Sequence, residues 1–177
     1  MGIYLNPENV DFQEVLNSKI YVDKSELIQY TNSVLRTTQK YICVSRPRRF
    51  GKSMAANMLT AYYSRGCDSR RLFQGLKIAT HPDFEKHLNQ YNVIHLNMQN
   101  FLSKTQTIEQ MIALVTKAVG RDLLRAYPDV DYLDKTILTF MLDDIYQDCQ
   151  VPFIFIIDEW DCISVLEKIN WKSRQNT

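Results

Sequence analysis

The segment VPFIFIIDEWD, Val151 to Asp161, constrains the fold more than any other. Phe153 to Ile157 are five apolar residues in succession, and Asp158 and Glu159 follow at once. A half-exposed strand alternates apolar with polar residues, whereas an unbroken apolar run is the mark of a strand buried on both faces. Such a strand needs helices above and below it, and its polar end marks an edge where open parallel sheets bind ligands. Other segments fit the same plan. KYICVS, Lys40 to Ser45, reads as a second doubly buried strand, and YNVIHLNM, Tyr91 to Met98, reads as another strand. Ile20-Tyr21-Val22 has the composition of a further short strand.

Helical periodicity fills the intervals. Met54, Met58, Leu59 and Tyr62 recur at helical spacing, with Gly66 placed to end the helix. Ser25 is positioned to start a helix carrying Leu27, Ile28 and Tyr30, and Asp83 to Gln90 reads as a short helix. Thr107 and Gln110 form the two ends of a capping box, a hydroxyl at the helix start and an amide three residues on. Behind it Ile108, Met111, Ile112, Val115, Val119 and Leu123 form one apolar stripe, and Pro128 stops the helix. Leu133, Ile137, Leu138, Met141 and Ile145 mark the next. Strands alternating with helices predict an α/β fold with a parallel sheet.

Composition removes several alternatives. With 177 residues, 45% hydrophobic and 23% charged, the chain can bury a real core. A net charge of +1 gives no global attraction to nucleic acid or membrane. Cys43, Cys67, Cys149 and Cys162 lack the spacing of a zinc knuckle or redox pair, and those within apolar runs read as small buried hydrophobes. His81, His87 and His95 lack metal-ligand spacing. No apolar stretch is long enough to span a bilayer, and MGIYLNPENVDF does not resemble a signal peptide, so a cytoplasmic protein without membrane contact is expected.

The chemistry sits at two strand ends. SRPRRFGKSM, Ser45 to Met54, closes on Gly51-Lys52-Ser53 between an expected strand and an expected helix. That is the ending of a phosphate-binding loop, G-x-x-x-x-G-K-[ST], although Arg46 stands where the first glycine belongs. In such a loop successive backbone N–H groups point inward and form an anion nest, so Arg46, Pro47, Arg48, Arg49, Phe50, Gly51, Lys52, Ser53 and Met54 are the candidate nucleotide-binding residues. Lys52 reaches the β- and γ-phosphates and the Ser53 hydroxyl binds Mg²⁺. At the other strand end, Asp158 suits a second Mg²⁺ ligand and Glu159 suits the base that orients an attacking water. The two motifs lie 106 residues apart (158 minus 52), so only a shared sheet can bring them together. A P-loop NTPase-type parallel sheet flanked by helices does that. Two plainer readings compete. Arg46 to Arg49 could form a basic patch for nucleic acid, and Asp158, Glu159 and Asp161 could be an ordinary acidic turn. Tyr62, Tyr63, Phe153 and Trp160 read as packing residues.

YVDKSELI (Tyr21 to Ile28), SRPRRFGKSM and FIIDEWD (Phe155 to Asp161), in that order, resemble the AAA-ATPase-like family of bacterial P-loop proteins. Many members carry a C-terminal nuclease-like domain of the PD-(D/E)XK type. The resemblance covers about residues 10 to 162, and the family's loop, RPRRFGKS, also lacks the first glycine. It implies ATP as the nucleotide, Lys52 on phosphate, Ser53 and Asp158 on Mg²⁺, and Glu159 as catalytic base. It also implies that YVDKSELI packs near the nucleotide base. The expected organisation is an N-terminal extension at 1–36, a core at 37–162 and an aberrant or disordered tail at 163–177. In the related sheets, the strand after the acidic one lies between it and the phosphate-loop strand. No such strand follows in ISVLEKINWKSRQNT, so the sheet is expected to be incomplete at the C-terminus and the chain a truncated piece of a longer ATPase. The alternatives are a non-hydrolysing module for nucleotide or nucleic acid, and a non-functional fragment.

Overall fold

The computed structural model describes residues 2–45 and 50–163. At its centre lie two parallel strands, β1 (Asn92–Asn97) and β2 (Phe153–Asp158), in register from Asn92 opposite Phe153 to Asn97 opposite Asp158. Helices pack on both faces, as an α/β fold requires. Val93 and Ile156 point into one core, with Phe12 of α1 (Val10–Leu16), Ile28 of α2 (Glu26–Val34), and Met58 and Tyr62 of α3 (Lys52–Tyr63). Two one-turn helices close this side, α4 (Arg70–Phe73) and α5 (Phe84–His87), with Phe73 and Phe84 buried between them and Tyr62. Ile94 and Leu96 point the other way, toward Phe101 of α6 (Met98–Leu102), Met111 and Leu123 of α7 (Ile108–Ala126), and Met141 and Ile145 of α8 (Leu138–Cys149).

The second edge of β1 is covered by the N-terminal residues. The Asn6 N–H donates to Val93 O, the His95 N–H donates to Tyr4 O, and Leu5 bridges antiparallel to Ile94. Asp122 of α7, itself buried, accepts the Tyr4 N–H at 2.7 Å and the Leu5 N–H at 3.4 Å, which ties that segment down.

The second edge of β2 has no strand beside it among the described residues. Lys40 to Ser45, expected as a doubly buried strand, has no regular structure and is exposed, Cys43 included. Its apolar composition is right for a strand, but a strand exists only through the ladder it shares, and among the described residues this one shares none. The same gap leaves Phe155 and Ile157 47% and 49% exposed. Ile20-Tyr21-Val22 is also not a strand: Ile20 and Val22 face solvent, and Tyr21 packs edge-on against Phe12. Smaller differences are local. α3 ends at Tyr63, before Gly66, because Ser64 turns into an extended conformation and bridges to Tyr91. α8 starts at Leu138, leaving Leu133 and Ile137 outside it. Thr107 caps α7 through the Gln110 N–H at 3.2 Å, while Gln110 reaches back to the Gln106 N–H, and Ile112 faces solvent.

Candidate functional site

The site begins where α3 begins. Gly51 takes φ 75°, ψ 34°, the left-handed conformation that glycine adopts without a Cβ penalty, and its carbonyl accepts the Ala55 N–H. Lys52 and Ser53 are the first residues of the helix, which has neither a side-chain cap nor an acidic residue in its first turn. The first N–H groups of a helix have no partner within it, and its dipole places partial positive charge there. Lys52 is half-buried, while Ser53, Met54 and Phe50 are exposed. Arg46, Pro47, Arg48 and Arg49 lie outside the described residues, and the nucleic-acid alternative rests on them.

Asp158 is the last residue of β2 and only 7% exposed, on the same face as Ile156 and therefore toward α3. Its Oδ1 accepts the backbone N–H of Glu159 at 2.9 Å, which fixes the plane of the carboxylate. That contact follows from the sharp turn at Glu159, whose φ is 54° and ψ 32°. A non-glycine residue in this region costs about 1–2 kcal/mol. The strain is offset by the chain's swing into a short 3₁₀ turn, Trp160–Cys162, whose Cys162 is buried against the α7–α8 core. Burial pushes the Cys162 thiol pKa up, with Asp161 and Glu159 adding to the shift.

Lys52, Asp158, Glu159, Trp160 and Asp161 all line one cavity of about 600 Å³. Its other walls include Leu27 and Thr31 of α2, Ile42 and Val44 on the irregular segment, Ala55 and Leu59 of α3, and Ile154 to Ile157 of β2. A basic helix start and an acidic strand end, far apart in sequence, thus face one space. Tyr62 and Tyr63 do pack as expected, with the Tyr62 hydroxyl donating to Phe84 O at 2.7 Å. Trp160 does not: it is 54% exposed at the cavity rim. No group of three metal-ligating side chains occurs among the described residues. A Mg²⁺ ion does not need one, since it keeps several waters and takes one or two protein oxygens beside phosphate.

The family model described as "Predicted AAA-ATPase" matches residues 10–176. The chain belongs to the AAA-ATPase-like family. The match runs past the 10–162 span that carries the three motifs. No curated protein and no solved structure matches the chain. Within this AAA-ATPase-like chain, YVDKSELI touches the loop rather than standing apart from it. Asp23 accepts the N–H groups of Ser25 and Lys77, Ser25 Oγ accepts the Ile78 N–H, and Lys24 Nζ donates to the Phe50 carbonyl at 2.8 Å. Sequence reasoning left the contacts of this segment open, because nothing local to Lys24 points to a carbonyl 26 residues away. No helix among the described residues is long and apolar enough to cross a membrane.

Proposed function

We propose that this chain binds Mg-ATP and hydrolyses it, through a P-loop whose basic half is Phe50 to Met54 and whose acidic half is Asp158 and Glu159. The observation that carries this reading is the convergence of Lys52 and Asp158–Glu159 on one cavity beside the uncapped start of α3. An uncapped helix start with an adjacent lysine suits an anion of high charge density. ATP as the nucleotide rests on the family.

The roles follow from position. Lys52 and the first-turn N–H groups of α3 hold phosphate oxygens. The buried Asp158 carboxylate, oriented by the Glu159 N–H, suits a hard divalent ion; Ser53 as the second protein oxygen rests on the loop motif and the family, since its exposed side chain is not among the residues lining the cavity. When bound, Mg²⁺ neutralises charge on the phosphates. Glu159 faces the same cavity and orients the attacking water.

Calorimetry with Mg-ATP tests the reading. The expected result is binding by the wild type and a loss of ~10–100-fold on Lys52→Ala, the scale of hydrogen bonds from a charged group. Glu159→Gln is expected to keep binding and lower turnover by roughly 10²–10⁴-fold, as for removal of a general base. Equal affinity in Lys52→Ala and wild type would exclude the phosphate-loop assignment.

A further inference from the structure

We propose that Lys24 is a positioning residue for the phosphate loop, latching the peptide that leads into Gly51 and Lys52; this rests on the nucleotide-binding reading of the same site. Lys24 Nζ donates to Phe50 O at 2.8 Å, across 26 residues of sequence. The ammonium also lies against the glycine itself: a Cβ on Gly51 would come within 2.9 Å of it. The contact therefore engages both sides of one peptide bond.

Planarity of that peptide gives the contact its consequence. In a trans peptide the carbonyl of one residue and the N–H of the next point in opposite directions. Holding the Phe50 carbonyl toward Lys24 holds the Gly51 N–H away from Lys24. The left-handed Gly51 is where the chain turns into α3, so the same hold fixes how Lys52 enters the helix. A surface lysine on a flexible stem normally does little of this kind, since ordering its side chain costs about as much as the contact returns.

Here the mounting is firm. The residues on either side of Lys24 are both pinned. Asp23 accepts two backbone N–H groups, from Ser25 at 2.8 Å and Lys77 at 2.9 Å. Ser25 is fully buried and accepts the Ile78 N–H. Burial alone would raise the Asp23 pKa, but the N–H groups of Lys77 and Ser25 more than offset it and hold the carboxyl below its ordinary value. An ammonium also has three N–H donors and the Phe50 carbonyl uses one, so Lys24 brings positive charge to the loop as well as geometry.

The test compares wild type, Lys24→Met, Lys24→Arg and Lys52→Ala as full chains, by Mg-ATP calorimetry and by hydrogen exchange without nucleotide. Lys24→Met is expected to bind Mg-ATP about tenfold more weakly, the order of one hydrogen bond from a charged group. The Ala55 amide, which donates to the Gly51 carbonyl, should exchange faster in it, with the thermal midpoint unchanged because the side chain is exposed. Lys24→Arg should restore most of the affinity, which a merely structural contact would not require. Wild-type affinity in Lys24→Met alongside lost binding in Lys52→Ala would overturn the latch and leave the nucleotide site standing. If Lys52→Ala also bound as wild type, the nucleotide reading would fail and this proposal with it. Unchanged exchange at Ala55 in Lys24→Met would overturn the latch whatever the nucleotide data show.

Discussion

His95 shows how one residue on β1 ties stability to pH. Its ring is half-buried, and its pKa is lowered from 6.5 by burial, although Asp158 and Asp11 act in the opposite direction. The unfolded chain therefore takes up this proton at a higher pH than the folded chain does. As pH falls below about 6.5, the unfolded state binds more protons and stability declines. His87, whose Nδ1 is paired with the Tyr91 hydroxyl, is also lowered by burial and acts in the same sense. Denaturant midpoints measured between pH 7.5 and 5.5 should fall with acid, and His95→Gln should flatten that fall in part. An identical slope in the variant would mean that His95 is hydrated well enough to titrate normally.

At the scale of elements, α7 does more than cover a sheet face. Its Asp122 replaces the water that the Tyr4 and Leu5 N–H groups would otherwise bond, and Gly2 sits so close to it that any Cβ there would collide. Asp122→Ala orphans buried donors, and a destabilisation of about 1–3 kcal/mol is expected in chemical denaturation. Faster exchange of the Asn6 and His95 amides, which bond across that edge, should accompany it. Elements whose partners are written into their own composition were legible in advance. The apolar runs of β1 and β2 and the stripe of α7 are of this kind: both strands and the helix form, although Ile112 of the stripe faces solvent and β2, expected to be buried on both faces, leaves Phe155 and Ile157 half exposed. Lys40 to Ser45 was not legible, because its fate depends on a neighbouring strand rather than on its own residues. At the candidate site, Gly51 and Lys52 stand out as the ending of a phosphate-loop motif and Asp158 and Glu159 as the polar end of an apolar run, whereas Lys24 was hidden by its distance in sequence from Phe50.

Among the described residues, two cores share one pair of strands, and β1 is buried from both sides while β2 is well covered only on the face of Ile156 and Asp158. The second edge of β2 has no partner strand among the described residues, and it offers backbone donors and acceptors beside exposed Phe155 and Ile157, the pattern that natural sheets usually blunt with charge. Light scattering against concentration should show self-association, and Phe155→Lys should suppress it while leaving far-ultraviolet circular dichroism unchanged. Equal scattering by both chains would place the contact elsewhere. The same edge has a colloidal side. With a formal charge of only +1 at neutral pH, copies of this protein have little electrostatic repulsion to keep them apart. A sheet edge that attracts therefore meets a surface that scarcely repels, and solubility rather than folding energy sets the concentration at which the chain stays dispersed.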